Sequence, residues 1–187
     1  FSKKKKVIMT GATGFKGAWL SFWLYMLGAK VYAIGYLPNE NKKLFYSLNL
    51  HKKITLKILD VTDFTKMKTY VNKIKPEFIF HLAAQPLILD GYKEPYETYK
   101  TNALGTLNVL EITRKSKFVK SLICVTSDKC YESNFSTKGF KETDRLGGID
   151  PYSGSKASAE IMIKTYIKSF QKNLKTLGIA SVRAGNV

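Results

Sequence analysis

Residues 7–17 read VIMTGATGFKG, an apolar run followed at once by glycines at positions 11, 14 and 17. An apolar run that ends in a glycine-rich turn is typical of a buried parallel strand leading into a helix. Gly11 permits the tight turn, Gly14 lets the backbone approach a diphosphate, and Gly17 leaves room where the helix meets the sheet. The stretch predicts a dinucleotide-binding turn; the alternative is a plain strand–helix turn without a ligand.

Strand and helix patterns alternate along the rest of the chain. Predicted strands cover 7–10, 30–36, 54–59, 78–82, 122–125 and 179–182; predicted helices cover 15–27, 96–115 and 151–172, and another begins at Thr62 or Asp63. Loops are expected at Pro38 and Asn39 and over 132–149. This alternation predicts an α/β fold, a doubly wound parallel sheet (Rossmann fold) with strand order 3-2-1-4-5-6. Residues 1–187 are expected to form one domain, in which the face carrying Trp19 and Trp23 packs into the core.

The chain is strongly basic, with 31 Lys and Arg against 14 Asp and Glu, a net charge of +17. Arg occurs only at positions 114, 145 and 183, and lysines are spread over the whole length. Nucleic-acid-binding proteins concentrate Arg and aromatic residues on one surface. We therefore expect solvated lysine-rich faces and no nucleic-acid partner, although the positive field can attract a polyanionic small molecule.

Hydropathy and cysteine content bear on location. The apolar stretches are far shorter than the ~20 residues that cross a bilayer, so no membrane partner is expected. Cys124 and Cys130 lack metal-ligand or CxxC spacing, and His51 and His81 have no metal-binding company. The sequence predicts no metal site, reduced thiols and a cytoplasmic location.

A candidate catalytic pair follows the long loop. Residues 152–156 read YSGSK, so Tyr152 and Lys156 stand about one turn apart at the start of a predicted helix. A neighbouring ammonium stabilises the phenolate that a general base requires. A surface Tyr–Lys pair is the alternative, but the upstream glycine turn and Ser127 at a strand end favour catalysis.

These elements resemble the extended short-chain dehydrogenase/reductase family of NAD-dependent epimerases and dehydratases. The run GFKGAWL at 14–20 is similar to its CDP-glucose 4,6-dehydratase branch. Five further stretches match that branch in order: HLAAQPL at 81–87, TNALGT at 101–106, VTSDKCY at 125–131, GIDPY at 148–152 and RAGNV at 183–187.

The resemblance implies NAD as a tightly held cofactor. The implied cofactor-binding residues are Gly11, Thr13, Gly14, Phe15, Lys16, Gly17, Asp60, Val61, Leu82, Ala83, Ala84, Gln85, Thr101, Tyr152 and Lys156. The acid that normally ends the second strand is missing from Ile34-Gly35-Tyr36, which leaves NADP open at this position. For Asp60 and Val61, a simple helix cap is a compatible second interpretation.

The implied catalytic residues are Ser127, Asp128, Lys129, Tyr152 and Lys156. Ser127 would assist Tyr152 at a sugar hydroxyl, and Asp128 would protonate the departing 6-hydroxyl group, which leaves as water. Related dehydratases carry Thr-Asp-Glu where this chain has Ser127-Asp128-Lys129, so Lys129 either is held neutral or supports charge while another group removes the C5 proton.

The implied activity is the conversion of CDP-glucose to CDP-4-keto-6-deoxyglucose, a step of deoxysugar and O-antigen biosynthesis. The alternatives are another nucleotide-sugar epimerase or dehydratase of the family, and a non-catalytic NAD-binding protein. The resemblance also implies a homodimer or higher homo-oligomer of the full-length protein, with the dimer formed through helices 96–115 and 151–172. It implies a C-terminal sugar-nucleotide domain absent from this chain, without which the chain is expected to be inactive.

Overall fold

The computed structural model describes residues 4–36, 43–132, 139–170 and 177–185. The predicted loop at Pro38 and Asn39, the predicted helix end at Lys172 and the last residues of the 183–187 stretch lie outside these ranges. Within them, six strands form one parallel sheet of order β3-β2-β1-β4-β5-β6. They are β1 (Lys6–Thr10), β2 (Lys30–Gly35), β3 (Thr55–Ile58), β4 (Phe78–His81), β5 (Ser121–Ser127) and β6 (Gly178–Ala184). The predicted fold class and strand order are confirmed.

Helices cover both faces of the sheet. They are α1 (Phe15–Met26), α2 (Lys43–Ser47), α3 (Leu50–Lys53), α4 (Phe64–Ile74), α5 (Ile88–Lys93), α6 (Pro95–Tyr99), α7 (Gly105–Arg114) and α8 (Pro151–Phe170). One buried apolar cluster joins the sheet to α1, α2 and α3, and the other joins it to α4, α7 and α8. Because the strands are parallel, the loops after β1, β4, β5 and β6 emerge at one edge, where ligands bind in such sheets.

The predicted helix over 96–115 is interrupted in its hydrogen bonding. A π-helical segment (Lys100–Leu104) joins α6 to α7, and the N–H of Gly105 bonds the carbonyl of Lys100, five residues back. The Thr106 hydroxyl donates to the carbonyl of Asn102 at 2.6 Å. Apolar periodicity cannot reveal such a local change, which depends on side-chain hydrogen bonds to the backbone.

The expectation that Trp19 and Trp23 pack into the core is wrong. Their side chains are 47% and 64% exposed. Helix α1 instead turns Gly17, Ala18, Ser21 and Leu24 toward the sheet. Small residues let the helix approach the strands closely, which leaves the bulky aromatic rings on the outer face.

Several local predictions are confirmed, and the shortest elements are missed. Asp63 caps α4 by accepting from the N–H of Lys66 at 3.0 Å. Cys124 and Cys130 are buried free thiols. Helices α2, α3 and α5 span four to six residues each, too few for a helical period to emerge. No helix among the described residues is long and apolar enough to cross a membrane.

Candidate active site

The glycine turn joins β1 to α1 under tight steric constraints. Gly11 has a φ of +67° and lies so close to the loop after β4 that an added Cβ would stand 2.7 Å from the backbone nitrogen of Ala83. A Cβ on Gly17 would stand 2.1 Å from the carbonyl oxygen of Gly11. Any side chain is therefore excluded at both positions, because backbone atoms already occupy the space that a Cβ would need.

The N-terminus of α1 opens toward the same edge. Gly14 is its N-cap and supplies no side-chain hydrogen bond, so the first N–H groups of the helix have no capping side chain. The side chains of Phe15 and Lys16 are exposed there. Thr13 is buried, and its methyl group would stand 2.7 Å from a Cβ on Gly35 at the end of β2. This geometry suits a diphosphate bound by backbone N–H groups.

The loop after β4 forms one wall of the cleft. The N–H groups of Leu82 and Ala83 both donate to the Thr10 hydroxyl oxygen at 3.2 Å. Residues 82–85 are partly buried. Gln85 is held at its backbone N–H by the side-chain oxygen of Asn102 at 2.8 Å. The wall is thus tied to the end of β1 on one side and to the π segment on the other.

Asp60 and Val61 follow β3, the outermost strand on one side of the sheet. They lie at the same carboxyl edge as the glycine turn, because all the strands are parallel. Asp60 accepts from the N–H of Thr62 at 2.8 Å, and Val61 is buried against Gly105. The cap of α4 is Asp63, so the carboxylate of Asp60 closes a local turn and does not cap the helix. Its position near the ends of β2 and β3 is separate from the predicted catalytic residues.

Ser127, Asp128 and Lys129 follow β5 directly and form a small polar group. The Ser127 hydroxyl donates to Asp128 at 3.1 Å and accepts from the N–H of Lys129 at 3.2 Å. The ammonium of Lys129 lies 3.5 Å from the other Asp128 oxygen. Both charged side chains are partly exposed. The arrangement is that of a lysine ion-paired with a carboxylate at the carboxyl end of β5.

Tyr152 and Lys156 lie in the first turns of α8 and are 8% and 6% exposed. The Lys156 Nζ atom lies 5.9 Å from the centroid of the Tyr152 ring. Burial, followed by the positive charge of Lys16, lowers the pKa of Lys156 to about 8. The charge that adds to this lowering belongs to Lys16, in the first turn of α1 after the glycine turn.

The described part of the chain holds no group of three His, Cys, Asp or Glu side chains that could bind a metal ion. His81 is buried between two threonines, and His51 is exposed beside the ring of Tyr46. Burial raises the pKa of Cys124 to about 12 and that of Cys130 to about 11, so neither thiol is a ready nucleophile.

Comparison with known proteins agrees with this architecture. Residues 8–182 match the family described as GDP-mannose 4,6 dehydratase. The chain belongs to that family. It is 40% identical over 191 residues to the CDP-glucose 4,6-dehydratase of Salmonella typhimurium, a match that covers 100% of this chain and 53% of the relative. The chain therefore spans about half the length of the curated relatives it matches.

Two solved structures show how closely the GDP-mannose 4,6 dehydratase family fold is kept. The UDP-glucose 4-epimerase of Thermotoga maritima, solved with UDP-glucose, superposes with a TM-score of 0.82 at 26% identity. The dTDP-glucose 4,6-dehydratase of Bacillus anthracis, solved in complex with NAD, gives a TM-score of 0.74 at 26% identity. Each match covers 95% of this chain and 54% of the other.

Two groups of residues in this GDP-mannose 4,6 dehydratase family chain were missed by the sequence analysis. One is Asn102, whose neighbour Thr101 was predicted instead; Thr101 is half-buried, whereas the Asn102 amide bonds Gln85 and Ser155. An asparagine inside a helical stretch is the signal that could have found it.

The second missed group is an ion pair behind α8. Glu160 binds Arg183 at 2.7 Å and also accepts from the hydroxyls of Thr126 and Ser181. The Arg183 guanidinium donates to the Tyr131 hydroxyl at 2.8 Å. These contacts join α8 to β5, to β6 and to the segment after Asp128. No local pattern links residues so far apart in the chain.

Proposed function

We propose that residues 1–187 form the NAD-binding Rossmann domain of a longer enzyme that dehydrates CDP-glucose to CDP-4-keto-6-deoxyglucose. One observation carries the proposal. The uncapped N-terminus of α1, the polar group after β5 and the buried Tyr152–Lys156 pair share one edge of the sheet. A dinucleotide-binding turn beside a buried phenol and a buried ammonium group is the arrangement that reversible oxidation of a sugar hydroxyl requires.

The residues present fit NAD. The first N–H groups of α1 would bind the diphosphate, and the exposed cation of Lys16 adds to the positive field there. The backbone of Leu82, Ala83 and Ala84 would lie along the nicotinamide ribose, and Asp60 with Val61 would border the adenine. Bound NAD would supply the hydride acceptor for oxidation at the sugar C4 and the hydride donor for reduction at C6.

In the proposed mechanism Tyr152 removes the proton of the 4-hydroxyl group. The buried ammonium of Lys156, 5.9 Å from the phenol ring centroid, stabilises the phenolate. Ser127 holds the same hydroxyl by a hydrogen bond. The resulting ketone at C4 acidifies the proton at C5, which prepares the elimination of water.

Asp128 and Lys129 would serve the elimination step. Asp128 would take up a proton from solvent and donate it to the departing 6-hydroxyl group, so the carbon–oxygen bond breaks with loss of water and the carboxylate beside Lys129 is restored. Of the two roles considered for Lys129, its 3.5 Å ion pair with Asp128 favours that of a cation that supports negative charge. The proton from C5 would then go to another group.

The nucleotide and the reaction type have separate supports. The 40% identity to a CDP-glucose 4,6-dehydratase supports CDP as the nucleotide. A 4-epimerase is the second candidate, because the Thermotoga maritima 4-epimerase shares the fold with a TM-score of 0.82. Asp128 favours the dehydratase, since epimerisation expels no water and requires no acid at C6.

Partner and location complete the proposal. Large apolar side chains are exposed on α6, the π segment and α8, namely Tyr96, Tyr99, Leu104, Ile161 and Ile167. Burial of such a surface is the usual driving force for association. We propose a homodimer formed through these helices, in the cytoplasm, with a nucleotide sugar as the other partner.

The function is tested by incubating the complete protein with NAD and, in parallel, CDP-glucose, dTDP-glucose and GDP-mannose. Mass spectrometry of the products is expected to show loss of one water from CDP-glucose. Conversion of another nucleotide sugar would reassign the substrate. A product of unchanged mass that chromatography separates from the substrate would favour the epimerase, and NAD binding without any conversion would favour the non-catalytic alternative.

A further inference from the structure

A buried histidine lies directly behind the proposed cofactor wall. The His81 ring is 2% exposed at the end of β4, between the hydroxyls of two threonines. Its Nδ1 atom lies 2.8 Å from the Thr10 oxygen, and its Nε2 atom lies 3.2 Å from the Thr106 oxygen. None of the proposed catalytic steps uses this side chain.

The neighbouring hydrogen bonds determine where the ring proton resides. The single hydroxyl proton of Thr106 goes to the carbonyl of Asn102, at 2.6 Å. The Thr106 oxygen must therefore accept from His81, which makes Nε2 the protonated nitrogen. Nδ1 is then an acceptor, and it receives the proton of the Thr10 hydroxyl.

The remaining contacts agree with this assignment. The Thr10 oxygen accepts the N–H groups of Leu82 and Ala83, both at 3.2 Å. A doubly protonated ring would leave the Thr10 proton without an acceptor. Burial, followed by the charge of Lys156, also lowers the pKa of His81 to about 3. The ring is uncharged, and each polar hydrogen around it has one acceptor.

From Thr106 the hydrogen bonds continue to the proposed base. The Asn102 side chain donates to the Gln85 carbonyl at 3.0 Å and to the Ser155 hydroxyl oxygen at 2.9 Å. Ser155 donates in turn to the carbonyl of Tyr152 at 2.7 Å. A series of hydrogen bonds, connected at Asn102 through the residue's own covalent bonds, thus runs from the end of β1 to the first turn of α8. We call it the His81 path.

We propose that His81, as the uncharged Nε2–H tautomer, is a positioning residue for Tyr152: it holds the π segment against the end of β4, and the π segment holds the first turn of α8. The inference rests on the proposed function, because it takes Tyr152 as the general base. It adds a reason for a histidine at this place, since an apolar residue would leave the Thr10 hydroxyl proton without its acceptor and the Thr106 oxygen without its donor.

The chain offers a matched pair of substitutions to test the path. Thr106 and Thr113 lie on α7, both are buried, and they are two turns apart. Among the described residues, the Thr113 hydroxyl has no hydrogen-bond partner. Thr106→Val breaks the His81 path, whereas Thr113→Val removes the same atoms from the same helix and breaks nothing. Thr106→Ser keeps the hydroxyl and is the rescue variant.

In the complete protein with NAD and CDP-glucose, we expect Thr106→Val to lower kcat about 10- to 100-fold, because a misplaced base slows the chemical step. KM and the Kd for NAD are expected to stay within about threefold of the wild type, because ground-state contacts are kept. Thr113→Val should leave all three unchanged, and Thr106→Ser should recover most of kcat. Equal kcat values for the two valine variants would overturn the inference and leave the proposed function intact.

A second measurement does not depend on activity. His51 and His81 are the two histidines of residues 1–187, so in nitrogen NMR of the ¹⁵N-histidine-labelled complete protein the signals lost in His81→Gln and kept in His51→Gln are those of the His81 ring. We expect one protonated and one unprotonated nitrogen at every pH from 8 down to about 5. A ring that titrates in this range, or that carries its proton on Nδ1, would contradict the path. An inactive wild type would contradict the proposed function, and this spectrum would still decide whether the path exists.

Discussion

The ammonium of Lys156 lies 5.9 Å from the centroid of the Tyr152 ring, with both side chains buried at the start of α8. A buried cation is costly, and burial lowers the pKa of this lysine to about 8. No carboxylate forms an ion pair with Lys156 among the described residues. The buried charge of Lys156 thus lowers the stability of the fold, and it lies where the proposed reaction needs a positive charge beside a phenol.

Tyr152→Phe is expected to abolish hydride transfer and to leave NAD binding unchanged, because the ring keeps its packing and only the reacting oxygen is lost. Absorbance of NADH in a single turnover with CDP-glucose measures hydride transfer, and calorimetric titration measures NAD binding. A control, Tyr96→Phe, changes an exposed tyrosine and should have no effect on hydride transfer. Normal turnover by Tyr152→Phe would overturn the assignment of the base.

Lys156→Met is expected to stabilise the folded protein at pH 7 by roughly 3 kcal/mol, since it removes a buried cation with a pKa near 8 instead of 10.5. Between pH 8 and 10.5 the unfolded wild type binds more protons at this lysine than the folded one. Wild-type stability therefore rises with pH relative to the variant, and the variant's advantage disappears toward pH 10.5.

Urea unfolding of the wild type and Lys156→Met across this pH range measures the difference. Lys164→Met changes an exposed position of the same helix. Its free energy of unfolding should depend on pH in the same way as that of the wild type. A difference between wild type and Lys156→Met that does not change with pH would show that the burial of the charge is not the cause.

Substitutions in the glycine turn are expected to separate folding from binding. Gly17→Ala should disrupt the fold, because its Cβ would stand 2.1 Å from a backbone oxygen. At Gly14 the nearest atom to an added Cβ is 3.4 Å away, so Gly14→Ala should fold normally yet lose NAD affinity about 10-fold or more by crowding the diphosphate.

Circular dichroism measures the folding of the glycine variants, and fluorescence titration measures their NAD affinity. Gly139→Ala is the control, since an added Cβ there meets nothing within 4 Å. Normal NAD affinity in a folded Gly14→Ala protein would show that the diphosphate does not bind at the N-terminus of α1.

The Glu160–Arg183 ion pair is expected to be a strong stabilising contact. Its side chains are 3% and 17% exposed, so Glu160→Gln leaves a largely buried guanidinium without its counter-charge and should cost about 3 kcal/mol. Glu97→Gln, in the exposed pair with Lys100, should cost less than about 0.5 kcal/mol. Chemical denaturation measures both, and equal costs would show that burial adds nothing to the Glu160 contact.

Local sequence determined the fold and half of the candidate site. The glycine turn, the alternating strands and the Tyr152–Lys156 spacing each depend on residues within one turn or one strand. Their conformations follow from steric limits and periodicity, so the strand order and the position of α8 were predicted correctly. The NAD prediction agrees with the solved Bacillus anthracis dehydratase, which holds that cofactor. The roles of the individual site residues stay predictions.

Tertiary structure alone decided the rest. His81 meets Thr10 and Thr106, 71 and 25 residues away in the chain, and Asn102 meets Ser155 across 53 residues. Trp19 is exposed because the small residues of α1 pack against the sheet instead. Helical spacing alone does not tell which face of the helix is buried. Proton placement, burial and charge compensation depend on which distant groups meet, and only the folded chain brings those groups together.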